Sequence, residues 1–235
     1  MRHLHKSKRA RNLRIAIFAI VIAALIYTLG WSGLLAVKKI EISGTSQIDL
    51  ISRDLSRDHI ALHQNMQLAR VDVKAISHSI LSHTWVANAI ISRNWFAGTV
   101  KIVLTERTPV AEFTTTSGET EYFDASGANF TYPSPFIALP KVTLQSGGEL
   151  SRKSAAGLIS QLPSDQLAGL IDLVVYSPNK IIMDIRMGNR SLRINWGDSS
   201  EISLKNKVLG ALLLLPENQK ISNVDLSNPR EPITK

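Results

Sequence analysis

Residues 84–112 read TWVANAIISRNWFAGTVKIVLTERTPVAE, and this stretch decides how the rest of the chain is read. Val100, Ile102 and Leu104 alternate with Lys101, Val103 and Thr105, the period of a strand with one apolar face. The run 85–93 carries Val86, Ala89 and Ile91, which departs from strict alternation and predicts a bulge or a largely buried strand. Asn94-Trp95-Phe96-Ala97-Gly98 supplies a turn between them, so the two runs form a hairpin. The pattern stops at Glu106-Arg107-Thr108-Pro109. Pro109 has no amide to give a central ladder and biases Thr108 toward extended geometry. Glu106, Arg107 and Pro109 therefore read as an interdomain joint, where the last strand leaves one sheet for the next. A catalytic Glu106–Arg107 pair is disfavoured, because adjacent strand residues point to opposite faces.

Upstream of the hairpin, Asp72 is placed to cap a helix with Ala75, Ile76, Ile80 and Leu81 on one side. Thr45 or Ser46 is placed to cap another, running to Asp58, with Ile48, Ile51 and Leu55 at helical spacing. Residues 37–43, VKKIEIS, alternate as a short strand before Gly44. The order β-α-α-β-β gives two helices that can cover one face of a sheet.

Residues 15–37, IAIFAIVIAALIYTLGWSGLLAV, hold no charge. As a helix they reach roughly 35 Å, enough for a ~30 Å hydrocarbon core. Tyr27 and Trp31 lie toward the far end, where amphipathic rings favour the interface. Arg2, Lys6, Lys8, Arg9, Arg11 and Arg14 precede the run and only Lys38 and Lys39 follow it closely, which predicts a cytoplasmic N-terminus. The length of the run and the lack of an A-x-A site favour an uncleaved anchor over a signal peptide. Removing those 6 bases from the 27 Lys+Arg leaves 21 against 19 acids, so most of the +8 charge belongs to the tail. A footprint for nucleic acid is therefore not expected. With no cysteine, disulfides, thiolate metal sites and cysteine nucleophiles are excluded.

Downstream, 110–113 and 121–123 are short strand candidates, and Asp124-Ala125-Ser126-Gly127 is a turn that lacks the further carboxylates of a calcium loop. Residues 151–162 read as a helix, and 171–176, 180–187 and 191–196 as a meander. Ser199 or Ser200 is placed to cap a helix with Leu204, Val208, Ala211, Leu212 and Leu215, stopped by Pro216. Residues 224–227 are the last clear strand and read as an edge. The fold class is α+β: a single N-terminal transmembrane helix, a β-α-α-β-β domain, then a mostly antiparallel β-domain with flanking helices.

Val71-Asp72 opening a helix, Trp85-Val86 starting a strand, Arg93-Asn94-Trp95 at the turn and ERTPVA at 106–111 resemble the POTRA domain of the FtsQ/DivIB family of bacterial division proteins. Where that family usually has proline after the turn tryptophan, this chain has Phe96. Trp196-Gly197, Lys205 and Val224-Asp225-Leu226 resemble the family's C-terminal β-domain, with Ser227 where arginine is frequent. The resemblance implies a cytoplasmic tail at 1–14, a span at 15–37, a POTRA domain at 38–108 and a C-terminal domain at 109–235. It further implies a non-enzymatic bitopic scaffold of the divisome in the plasma membrane at the division septum. Such a scaffold links early and late division proteins and helps control septal peptidoglycan synthesis, with FtsB/DivIC-like and FtsL-like partners and other divisome membrane proteins. The physical means expected is strand addition at 224–227 or at the terminal 231–235. Val224, Leu226 and Ile233 are the expected contacts, with Lys205 contributing charge.

No G-x-S-x-G, H-E-x-x-H or Walker pattern occurs, and His59 and His63 lack a third metal ligand. Neither catalysis, a cofactor nor a small-molecule substrate is expected. A membrane-anchored wall enzyme would need an acid or nucleophile cluster, and a POTRA transport component a transmembrane barrel after residue 112.

Overall fold

The computed structural model describes residues 4–30 and 35–235; Arg2 and Trp31 of the expected tail and span lie outside them. Helix α1 (Leu4–Gly30) has apolar residues around its circumference rather than on one stripe. Ile15, Phe18, Ile20, Leu25 and Tyr27 on it are all exposed. Among the described residues no helix is long and apolar enough to cross a membrane. The expected span at 15–37 includes 31–34, which are not described, and its far end is shorter than expected: Ala36 and Val37 are buried in the first compact unit, the Val37 amide donating to the Met66 carbonyl at 2.7 Å.

The chain divides into two compact units, Met1–Glu106 and Arg107–Lys235. The first contains β1 (Lys39–Ser43), α2 (Ile48–Arg57), a single 3-10 turn at Leu68–Arg70, α3 (Val73–Leu81), β2 (Val86–Asn94) and β3 (Thr99–Glu106). The tight turn pairs β2 with β3 antiparallel, with a bulge between Val86 and Asn88. The two helices carry the chain back across the sheet, so β1 takes the other side of β3 in parallel, Ile40 opposite Val100 and Ile42 opposite Ile102. Ile51 and Leu55 of α2 and Ile76 and Ile80 of α3 are buried, as are Val100, Ile102 and Leu104 of β3. Gly44 has φ +84°, and any Cβ there would collide with the Leu104 carbonyl.

The two helix starts of this unit differ. Asp72 Oδ1 accepts from the amides of Lys74 and Ala75, each at 3.0 Å, so α3 is capped by the expected residue. α2 instead begins after Gln47, and its Ncap side chain makes no capping bond. Thr45 Oγ1 accepts from the Gln47 amide at 2.9 Å, and the Ser46 amide donates to Glu106 Oε1 at 3.2 Å. Neither Thr45 nor Ser46 is the cap, because a carboxylate from β3 takes up this turn.

In the second unit β4 (Ala111–Thr114), β5 (Thr120–Phe123) and β6 (Asn129–Phe130) form an antiparallel sheet of their own. There follow β7 (Thr143–Leu144), α4 (Glu149–Ile159), α5 (Ser164–Ala168), β8 (Leu170–Ser177), β9 (Lys180–Met187), β10 (Arg190–Gly197), α6 (Ile202–Leu214), β11 (Asn223–Asp225) and β12 (Ile233–Thr234). Strands β7 to β12 form one sheet in sequence order. The β8-β9-β10 meander is antiparallel, as its turns at Ser177-Pro178-Asn179 and Gly188-Asn189 require. β7 pairs with β8 in parallel, and β11 with β10 in parallel, since helices intervene in both connections. Leu173, Val175, Ile181, Met183, Ile194 and Trp196 from the sheet meet Leu158 of α4 and Leu209 of α6 in one core.

The start of α6 also departs from expectation. Glu201, not Ser199 or Ser200, precedes it, in a left-handed conformation with φ 50°. Ser200 donates its amide and hydroxyl to Asp198 Oδ1 instead, at 3.0 and 2.6 Å.

Candidate partner-binding edge

β11 lies between β10 and β12, with Ile194 opposite Val224 and Asn195 opposite Asp225 on one side. On the other side Val224 faces Thr234 and Asp225 faces Ile233. Asn223 and Lys235 exchange both backbone bonds at 3.0 Å. In an antiparallel ladder such closed pairs alternate with open ones, so Asp225–Ile233 is the next closed pair and Val224–Thr234 is open. The amide and carbonyl of Thr234 consequently point away from β11. β12 is the last strand of its sheet, so this side has no further strand among the described residues.

Ile233 is 57 % exposed. It borders a groove of about 410 Å³ on the outer sheet face, shared with Ile182, Arg193, Asn195, Asp225 and Lys235. The polar floor of the groove is fixed. Arg193 forks onto Asp184 at 2.8 and 2.7 Å. Asp225 accepts from the Ser227 hydroxyl and amide at 2.6 and 2.9 Å and from Asn195 Nδ2 at 2.9 Å. Burial pushes the Asp225 carboxyl up, but these donors outweigh it and hold it below the usual carboxylate range.

Three residues expected at a partner surface are placed elsewhere. Val224 and Leu226 are 2 % and 0 % exposed and belong to the core. Residues two apart along an extended chain share a face, so both turn inward together. The inner strand is 223–225, and the edge expected at 224–227 is covered by β12. Leu226 follows the strand, its amide donating to the Asn195 carbonyl at 2.8 Å. Lys205 is 1 % exposed, and its Nζ donates to the carbonyls of Trp196 at 2.7 Å and Asp198 at 3.0 Å and to Asp198 Oδ1 at 3.0 Å. It clamps α6 to the end of β10 and is not a surface charge. The Ser200 hydroxyl, with Lys205 and against partial burial, lowers the Asp198 carboxyl to about 2. Nothing in its residue type marks Thr234, because a two-residue strand has no period to read.

At the joint, Glu106 and Arg107 engage different units. Glu106 accepts from Ser46 at the α2 end of the first, while Arg107 pairs with Asp124 Oδ2 at 2.6 Å in the second. The division between the compact units falls between them. Pro109 precedes Val110, whose amide begins the pairing to β5 through the Phe123 carbonyl at 2.8 Å. Asp124 is the expected turn residue, accepting from Ser126 and from the Ala128 amide. Burial raises its carboxyl, yet Ser126 and Arg107 leave it net lowered. His63 Nδ1 bonds the Gln64 carbonyl, and among the described residues no three His, Cys, Asp or Glu side chains gather as a metal site.

Residues 35–107 match the family model of the POTRA domain, FtsQ-type. This part of the chain is an FtsQ-type POTRA domain. The match begins just before β1 and ends at Arg107, so it takes in the whole β1-α2-α3-β2-β3 sheet and its two helices. It supports the FtsQ/DivIB family and points to a cell division protein. No curated protein matches the chain. Phe96, where the resemblance implies proline, lies in a turn held by Asn94. Asn94 Oδ1 accepts from the Phe96 and Ala97 amides at 3.1 and 3.0 Å, an Asx turn in which Phe96 supplies an N–H that proline would lack.

Proposed function

We propose that the chain is a non-enzymatic, bitopic membrane scaffold of the divisome at the division septum, and that β12 receives a strand from an FtsB/DivIC-like partner. FtsL-like proteins join the same complex. Through it the chain links early and late division proteins and helps control septal peptidoglycan synthesis. The carrying observation is the outward-facing amide and carbonyl of Thr234 on the last strand of the six-stranded sheet. A partner strand satisfies these groups and lays alternate side chains over Ile233 and the adjoining groove. A strand of two residues is short enough to discourage indiscriminate pairing, and the partner extends it.

The membrane part of this reading rests on the uncharged run 15–37, the six bases before it and the exposed apolar surface of α1. A reporter fused after Lys235 should be active outside the cytoplasm and stay membrane-bound. A cytoplasmic signal contradicts that topology.

The register singles out one substitution. Ile233→Pro would remove a bond to β11 and damage the edge itself, whereas Thr234→Pro removes the outward donor alone. Thr234→Pro in the full chain should weaken capture of an FtsB/DivIC-like segment roughly tenfold or more, from one lost backbone bond and the clash of the ring. Thermal unfolding should stay near the parent's. Unchanged capture by a folded Thr234→Pro chain would move the partner site away from β12.

A further inference from the structure

We infer that the tip of the POTRA hairpin is a second membrane contact, with Phe96 entering the boundary between lipid headgroups and hydrocarbon. The inference rests on the anchor reading of residues 15–37. Phe96 is 101 % exposed, the most exposed large apolar side chain among the described residues. Its turn is internally bonded through Asn94, so the ring is held out by a settled backbone and offers a partner only its apolar surface.

Three contacts put this tip where the chain leaves the apolar run. The Gly98 carbonyl accepts from the amides of Lys38 and Lys39, at 2.7 and 3.3 Å, and Lys38 directly follows Val37, the last residue of the run. Gly98 is at φ +67°, and a Cβ there would stand 2.8 Å from the Ala36 carbonyl and 2.9 Å from the Lys38 side chain. The close approach therefore requires glycine. Arg93, in the stem, donates to the carbonyls of Leu68 and Val71 at 3.2 and 3.4 Å, and α1 approaches the same turn at Leu68–Arg70. Ala36 and Val37 are already buried in this unit, Val37 bonded through its backbone to Asn65 and Met66, so the part of the run that a bilayer can hold ends before them, and α1 meets the unit at the turn that Arg93 holds.

The side chains there fit an interface in kind. The Arg93 guanidinium lies 5.4 Å from the centroid of the half-buried Trp95 ring, and Lys38 and Arg70 are exposed beside it. Aromatic rings favour the headgroup level, where bases meet lipid phosphates, while a phenyl ring inserts deeper. A cluster of this composition at the end of a span suits phospholipid better than a strand or a peptide, because the amides of Phe96 and Ala97 at the tip are already bonded to Asn94. Anchored at the span and at Phe96, the POTRA domain has a fixed inclination to the membrane.

The absence of cysteine makes the test direct. The full chain carrying Ala97→Cys is labelled with an environment-sensitive fluorophore and reconstituted in phosphatidylcholine–phosphatidylglycerol bilayers that carry a doxyl quencher at shallow acyl depth. Labels at Ile22→Cys, in α1, and Ala87→Cys, at the opposite end of β2, are read in parallel. The proposal expects lipid quenching at 22 and 97 but not at 87, with most of the quenching at 97 lost on adding Phe96→Asp. Since Phe96 is fully exposed, that substitution should leave thermal unfolding unchanged. Quenching at 22 without quenching at 97, or quenching at 97 that survives Phe96→Asp, overturns the hairpin contact and leaves the anchor standing. No quenching at 22 overturns the anchor and the hairpin contact together. A hairpin that serves a protein partner instead gives the first of these negative results, because the bilayers contain none.

Discussion

Phe96 and Ile233 are both exposed apolar side chains at or just beyond a strand end, with bases nearby, yet the backbone around them differs. At Phe96 the amides of the turn are taken by Asn94, and the two strands of the hairpin pair with each other. At Ile233 the neighbouring residue, Thr234, turns its amide and carbonyl outward on a terminal strand. A surface with satisfied backbone can attract only by apolar area and charge, which suits a fluid interface. A surface with open backbone groups can select a strand in one register. Exposure of a hydrophobic side chain alone does not distinguish the two.

The largest effect is expected from Leu226→Ala. If Leu226 is core, as its complete burial requires, truncation should cost about 2–4 kcal/mol of stability. Partner capture per folded molecule should change little. Chemical denaturation beside a binding isotherm separates the two. A stable Leu226→Ala chain that fails to bind would restore Leu226 as a contact and reduce the role of the open backbone.

Lys205→Ala should come next. The ammonium holds two carbonyls and one carboxylate, and removing it leaves buried acceptors unpaired. The expected loss is about 2–3 kcal/mol, less than for a fully buried pair because Asp198 is half exposed. Lys205→Met, which keeps the apolar stem but not the charge, should recover little of it. Because Lys205 acts on the end of β10, on which β11 and β12 are built, binding should weaken only to the extent that folding does.

A smaller effect follows from Asp198, whose carboxyl is lowered to about 2. Its ordinary value is about 3.9, so the unfolded chain takes up the proton first as pH falls. The stabilisation is present above pH ~4 and disappears between about 4 and 2. Denaturation of the parent and of Asp198→Asn should therefore differ at neutral pH and converge near pH 2. A gap that persists at pH 2 would mean that Asp198 acts through packing and not through its charge.

The features that could be read from sequence are those fixed within a few residues. Asp72 caps α3 because its own side chain reaches the next amides, and the β2–β3 hairpin is legible because alternation and turn chemistry agree. What escaped depends on distant parts of the chain. Glu106 takes the turn at which Thr45 or Ser46 was placed as a cap. Asp198 draws Ser200 away from α6, and Glu201 takes a left-handed conformation that no residue preference predicts for glutamate. Lysine is seldom buried, so nothing in its type marks Lys205 as a clamp. β6, β7 and β12 have two residues each, too few for a period. Val224 and Leu226 are legible as one face of a strand, but which face is buried depends on the core they share with Leu158 of α4 and Leu209 of α6, and that their strand is not the edge depends on β12.

The central claim is that the open backbone of Thr234 receives the partner, and amide hydrogen exchange reads that group directly. In the free chain the Thr234 amide should exchange much faster than that of Ile233, which is paired to β11. With a saturating FtsB/DivIC-like segment, Thr234 should become strongly protected, while the Phe96 amide, already bonded to Asn94, keeps its rate. A Thr234 amide that still exchanges freely in the saturated complex would contradict strand addition at β12.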